Sequence, residues 1–329
     1  MTYFSLNVAV ALTLLAACMW GSWMQIIKHR KEYPIQGIIF LLYTFSLVLV
    51  GTITLILAPF LLPEGIIYTT ANNIGIVVQI LISGAFMAAG MHFTLEVMNK
   101  AGLLLATTIT GAVGSILGIA TAIFAEGIPE RANALLLLAV ITVVFIVAGQ
   151  LCNIASAWRD RDFGRDQQSK TITGMVLIMI LLSVIFINGW AYGTALGTAS
   201  GFPPILTAFY MASGSFLGVL IVYGYRFTVK KTWKQVLCLS GFPKKPLLFC
   251  VIAAICHYGG NLLAIYSMPS LTATLSFMFG RVAGLVTIGW GFYYREFSGA
   301  SSRTKWMLVA GLVTYFLALF LLGYYTYGG

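Results

Sequence analysis

The chain has 329 residues, of which 60% are hydrophobic and only 9% charged, with a formal net charge of +10 and a mean hydropathy of +0.94. A soluble globular domain carries roughly a quarter charged residues, so these figures exclude one and require a chain solvated largely by lipid. Divided into crossings of about 20 residues with short connections, the length holds about ten membrane-spanning helices and no sizeable soluble domain.

In chain order, the apolar runs and their Gly, Pro and charged punctuation predict spans at 6–27, 36–58, 74–98, 103–124, 132–156, 172–195, 204–226, 246–268, 271–294 and 305–327. Hydrocarbon offers the backbone no hydrogen-bond partner, and the runs are too long for barrel strands, so every span is expected to be helical. The first carries the cluster Trp20, Gly21, Ser22, Trp23. His92 and Glu96 lie one turn apart near the end of the third. Between the fifth and sixth, the stretch from Arg159 to Lys170 alternates Arg with Asp and reads as a linker over 159–171, dividing 1–158 from 172–329. Asn188 and Trp190 fall inside the sixth span, His257 and Asn261 inside the eighth, and Arg281 near the middle of the ninth.

Shifting the second half back by 170 positions lays Trp190 on Trp20, Gly260 on Gly90, Gly284 on Gly114 and Glu296 on Glu126. Two related copies of five spans follow. Lys and Arg set their orientation: all but Arg131 and Arg281 of the nineteen cations fall in the loops after odd-numbered spans or in the linker. Those loops are therefore cytoplasmic and both termini face outward, in a multi-pass protein expected in the plasma (inner) membrane. Five crossings per copy is an odd number, so the copies run in opposite directions and form an all-α fold of ten transmembrane helices in two inverted five-helix repeats. The scattered positive charge lies beside the bilayer and argues against a nucleic-acid partner.

The Trp20 to Trp23 cluster, the run from Gly84 to Glu126 with Ala101, Gly102, Thr107, Thr108 and Gly111 to Gly118, and its copy from Gly259 to Glu296 resemble the drug/metabolite transporter superfamily. The pattern looks most like its ten-helix branch of sugar permeases (glucose and rhamnose uptake) and ureide permeases. That resemblance covers nearly the whole chain and implies a carrier with a site between its halves. It brings no fixed set of binding residues.

The candidate site therefore rests on the residues themselves. A cation at mid-span is costly unless it faces a wet cavity or a partner, which makes Arg281 the leading substrate-binding candidate, with a structural arginine as the alternative. His257 and Asn261, one turn apart, are expected at similar depth. His257 is the mid-span candidate for proton coupling, or else bonds a neighbouring helix. Trp20 and Trp190 occupy equivalent positions; Trp190, with Asn188, can stack on a sugar or heterocycle, or both indoles fill the same gap. Glu96 and His92 are coupling or gating candidates, Glu96 as an inner gate, a proton site, a partner for Arg281 in one conformation or a plain ion pair with Lys100.

No His-Glu-x-x-His, no Gly-x-Ser-x-Gly and no pair of membrane-embedded carboxylates points to an enzyme, and no filter-like loop points to a channel. Five cysteines without metal-ligand spacing read as small apolar residues. No catalytic residue, metal or cofactor is expected. The expected partners are a small-molecule substrate and the bilayer, with protons as candidate coupling ion and a homodimer as candidate assembly. The reading is a secondary transporter of a small polar metabolite, a sugar, ureide or similar compound; the alternative is an exchanger or exporter of a small anionic metabolite held by Arg281. Tags at both termini are expected to react with impermeant reagents on intact cells, and protection of either overturns the orientation.

Overall fold

The computed structural model describes residues 3–23, 25, 33–101, 103–127, 133–164, 174–239 and 244–328, without the side chains of 95, 98–101 and 103–112. Lys28, Arg30, Lys31, Gly102, Arg131, the linker from Arg165 onward, and the surroundings of Lys100, Ala101, Thr107, Thr108 and Gly111 lie outside the described set. The described chain is all-helical, 87% helix without strands. Its elements are α1 (Leu6–Trp23), α2 (Ile35–Leu61), the short α3 (Gly65–Asn72), α4 (Ile74–Ala101), α5 (Leu103–Glu126), α6 (Ala134–Asp162), α7 (Gly174–Ile187), α8 (Gly189–Ala199) and α9 (Pro204–Val219). A π-helical turn (Leu220–Gly224) leads into α10 (Tyr225–Val229), followed by α11 (Trp233–Val236), α12 (Lys245–Leu271), α13 (Ala273–Phe279), α14 (Val282–Tyr293) and α15 (Ser302–Tyr327).

Among the described residues nine helical stretches are long and apolar enough to cross a membrane, with α7–α8, α9–α10 and α13–α14 each forming one. The protein is thus a multi-pass membrane protein. The remaining predicted span corresponds to α5, a 24-residue helix whose side chains are described from Val113.

Helices in lipid gain no hydrophobic drive from meeting one another, so close backbone contact and interhelical hydrogen bonds hold them together. Glycine supplies the contact. A Cβ at Gly90 on α4 would collide with the backbone of Ile187, at the end of α7. Gly84 and Gly214 press α4 and α9 together in the same way, the first against Met211 and the second against Leu81. On α15, Gly311 lies against Cys152 of α6.

Polar ties fix the register of these pairs. The Ser270 hydroxyl donates to Phe4 O (2.8 Å) and Trp20 Nε1 donates to Asn261 Oδ1 (2.9 Å), so α1 and α12 run antiparallel. Tyr192 OH donates to Gln79 Oε1 (2.8 Å), while the Thr94 and Ser183 hydroxyls bond at 2.6 Å, so α4 runs antiparallel to α7–α8. Where α4, α9 and α12 meet, the Ser215 hydroxyl bonds Gly84 O (3.0 Å) and Tyr258 OH (2.7 Å) in a fully buried knot. At the basic end Asp162 of α6 accepts from the Ser301 N–H (2.9 Å) and the Thr304 hydroxyl (2.7 Å), and Arg159 pairs with Glu296 at 2.6 Å.

Among the described residues two large hydrophobic cores result, beside two small clusters, and neither large core belongs to one half of the chain. One joins α2 and α4 to α9 and α12. The other joins α1, α5 and α6 to α13, α15 and the end of α12. Gly90→Val is expected to cost about 1–3 kcal/mol through overpacking of the α4–α7 seam, read as a lower thermal midpoint in detergent. Gly323→Ala, where a Cβ meets nothing within 4 Å, is expected to leave that midpoint unchanged.

Candidate functional site

The candidate site is built around Trp20. Its indole fits because two neighbours are glycines: a Cβ at Gly260 would lie 2.8 Å from Trp20 Nε1, and one at Gly280 would lie 2.8 Å from Trp20 Cζ3. Gly260 and Gly90 are therefore both close-packing positions. The indole N–H donates to Asn261 Oδ1 at 2.9 Å and to His257 O at 3.2 Å. Asn261 thus serves as the orienting partner of Trp20, from the predicted face of α12.

From Trp20 a chain of side chains crosses to the second half of the chain. The Trp20 ring meets Trp190 edge-on, centroids 5.3 Å apart and planes at 86°. Trp190 packs on Phe277 at 6.1 Å, and the Arg281 guanidinium lies 4.4 Å from the centroid of the Phe277 ring. A cation over an aromatic face is favourable, the more so when desolvated. Gly118 of α5 leaves room for this wall, since a Cβ there would strike the Phe277 ring and lie 2.9 Å from Asn188 Oδ1. One turn earlier a Cβ at Gly114 would meet nothing within 4 Å. Trp20, Trp190, Phe277 and Arg281 are each only half-buried although all lie within spans.

Two spans are interrupted at this level. Asn188 separates α7 from α8 and turns its amide back onto Val184 O (2.6 Å). Gly280 and Arg281 separate α13 from α14, where Arg281, Ala283 and Gly284 each donate to the carbonyl three residues back at 3.1 Å. A tightened mid-helix turn is a common place for a hinge or for local strain, and non-helical backbone at membrane depth is tolerated only where protein or a wet cavity surrounds it.

Several buried polar atoms here have no hydrogen-bond partner among the described residues: both ring nitrogens of His257, Asn261 Nδ2, Trp190 Nε1, Arg281 Nε and Ser276 Oγ. Each such orphan costs roughly 1–3 kcal/mol. Three of them, on Asn261, Trp190 and Arg281, can only donate, so the set is complementary to a solute rich in acceptors. The His257 ring is boxed by Trp23, Tyr43 and Tyr258 at centroid distances of 5.0, 5.9 and 5.4 Å.

His92 and Glu96 stand elsewhere. His92 Nδ1 bonds Tyr223 OH at 2.8 Å, and Tyr223 belongs to the π-helical turn after α9. Glu96 and Arg226 act electrostatically on this pair, so in this structure Glu96 belongs to the α4–α9 seam while Arg281 rests on Phe277. Phe277 itself escaped the sequence reading; its only signal was its place one turn before Arg281, the spacing that lets two side chains meet on a helix. Among the described residues no three His, Cys, Asp or Glu side chains are grouped to hold a metal ion.

No protein-family model matches the chain, and no curated protein matches it. Asn261→Leu is expected to destabilise the fold by about 1–2 kcal/mol by removing the side-chain acceptor of the Trp20 N–H, measured as a fall in thermal midpoint; an unchanged midpoint would remove Asn261 from its orienting role.

Proposed function

We propose that this protein is a secondary transporter that carries a small polar metabolite across the membrane by alternating access. The observation that carries this reading is the convergence of two interrupted spans on the chain Trp20, Trp190, Phe277 and Arg281, beside buried donors that lack partners. Carriers place their solute where broken helices meet between repeats.

The packing supports a ten-helix, inverted-repeat reading in which α5 is the tenth span. Trp20 and Trp190, 170 positions apart, touch each other, and so do Phe145 and Tyr315, at 6.1 Å. A residue meets its own copy only close to the axis relating the two copies. Neighbour relations repeat as well: α1 packs on α12 and α14, and α7–α8, its counterpart, packs on α4 and α5. The same reading takes the chain as a member of the ten-helix branch of the drug/metabolite transporter superfamily on its sequence resemblance, and as a plasma-membrane protein with both termini outward on the placing of its Lys and Arg residues.

The solute that fits best is an uncharged, oxygen-rich ring compound, a sugar or ureide, because its carbonyl or hydroxyl oxygens accept from Asn261, Trp190 and Arg281 while a ring face lies on an indole. His257, with both ring nitrogens unpartnered, is the candidate for coupling to protons. The second reading, exchange or export of a small anion, is favoured by Arg281 alone, which among the described residues has no carboxylate beside it at its seat on Phe277. Counterflow in proteoliposomes tests the carrier: labelled solute is expected to accumulate transiently against unlabelled solute, whereas simple equilibration means a pore and chemical change means an enzyme. In a thermal-shift screen of sugars, ureides and organic acids, Arg281→Ala is expected to weaken binding about tenfold or more. An undiminished shift would make Arg281 structural.

A further inference from the structure

At the end away from the basic loops, Trp190 is covered by a small buried cluster of Ala122 from α5, Ala195 from α8, Met268 from α12 and Ala273 from α13. One carboxylate ties this cover shut. Glu126, the last residue of α5, accepts from the Ala273 N–H, from the Thr274 N–H (3.0 Å) and from the Thr274 hydroxyl (3.0 Å), which fastens α5 to the start of α13. Backbone donors at a helix start have no intrahelical partners, and a carboxylate there is favoured by charge as well as by hydrogen bonding.

The turn that Glu126 holds is strained. Thr272, between α12 and α13, has φ +75° and ψ 152°, a region that glycine occupies readily and a β-branched residue does not. The residue 170 positions earlier is Gly102, so one copy carries glycine where the other carries a strained threonine. Strain of this kind persists only when the surroundings enforce it. Here Glu126 grips the two residues that follow, and the Thr272 hydroxyl accepts from Leu275 N (3.3 Å). At its far end α13 meets the tightened turn at Gly280 and Arg281, so this short helix has a hinge at each end. It also bears Phe277, on which Arg281 rests.

We propose that Glu126 and Thr272 form a spring-loaded latch that closes the candidate site on the side opposite the basic loops. While Glu126 holds α13, the cover over Trp190 is shut. On release, Thr272 relaxes to an ordinary conformation, α13 swings away from α5, and Ala273 and Phe277 move with it, which opens a path to Trp190 and shifts the seat of Arg281. Packed interfaces of this kind switch between two arrangements instead of deforming continuously. The latch rests on the carrier reading above, since it regulates access to that site.

Two substitutions pull the latch in opposite directions. In protein whose native cysteines are replaced, Ala195→Cys reports opening by its reaction with an impermeant maleimide applied from the non-basic side. Glu126→Ala is expected to raise the labelling rate about tenfold, the scale of one lost helix cap, and Glu126→Gln to raise it less. Thr272→Gly, which removes strain from the closed turn, is expected to lower it. Ala122→Cys serves as a second reporter if Ala195→Cys fails to fold. Unchanged labelling in Glu126→Ala, with counterflow intact in the parent protein, overturns the latch alone. Absent counterflow in the parent overturns the carrier reading beneath it.

Discussion

Hydrocarbon accepts no hydrogen bonds, and the central departures of this fold from a straight helix lie where protein surrounds them. The break at Asn188 is buried against α4, the break at Gly280–Arg281 lies against Trp20 of α1, and the π-helical turn points Tyr223 inward while Leu220, Ile221 and Val222 stay exposed. Straight helices could cross the membrane without meeting; the glycines at 84, 90, 214, 260 and 311 are what bring them within backbone contact. That contact in turn shields the irregular backbone from lipid, so the close seams and the broken spans require each other.

The two halves of the chain divide the chemistry unequally. His257, Asn261, Asn188 and Arg281 all lie in the second half, and the residues 170 positions earlier are Met87, Met91, Cys18 and Gly111. The helix interruptions follow the same division: among the described residues, the breaks near Trp190 and Arg281 and the π turn all belong to the second half. The first half contributes Trp20, whose indole reaches across to Asn261, and the glycine face of α5 at 114 and 118. In the carrier that we propose, one half would present the polar groups and move them against a smoother wall.

Hydropathy and charge made the spans legible, since apolar runs of this length admit one structure in lipid and the loops punctuate them. The offset pair Trp20 and Trp190 was also legible, because bulky residues recur in step 170 positions apart, and the two rings meet in the fold. The helix breaks were not. Asn188 and Arg281 sit in runs whose apolar character continues on both sides, and nothing in composition distinguishes a tightened turn from a regular one. Glu126 stood out only as a marker of the repeat; its role depends on the backbone N–H groups of Ala273 and Thr274, which no side-chain pattern reveals. Glu96 and Arg281 illustrate the same limit, for the sequence does not reveal that Arg281 rests on Phe277 while His92, one turn from Glu96, bonds Tyr223.

Each core draws on both halves, and this has a consequence for biogenesis. The indole of Trp20 waits for an asparagine 241 residues later. At translation rates of about 5–20 residues per second, the interval is on the order of ten to fifty seconds. During it the nascent α1 and α4 sit in the bilayer with their small-residue grooves unfilled, exposed to lipid and to wrong partners. A truncated product ending at the linker would lack the second-half residues of both large cores and have no completed core to fold around.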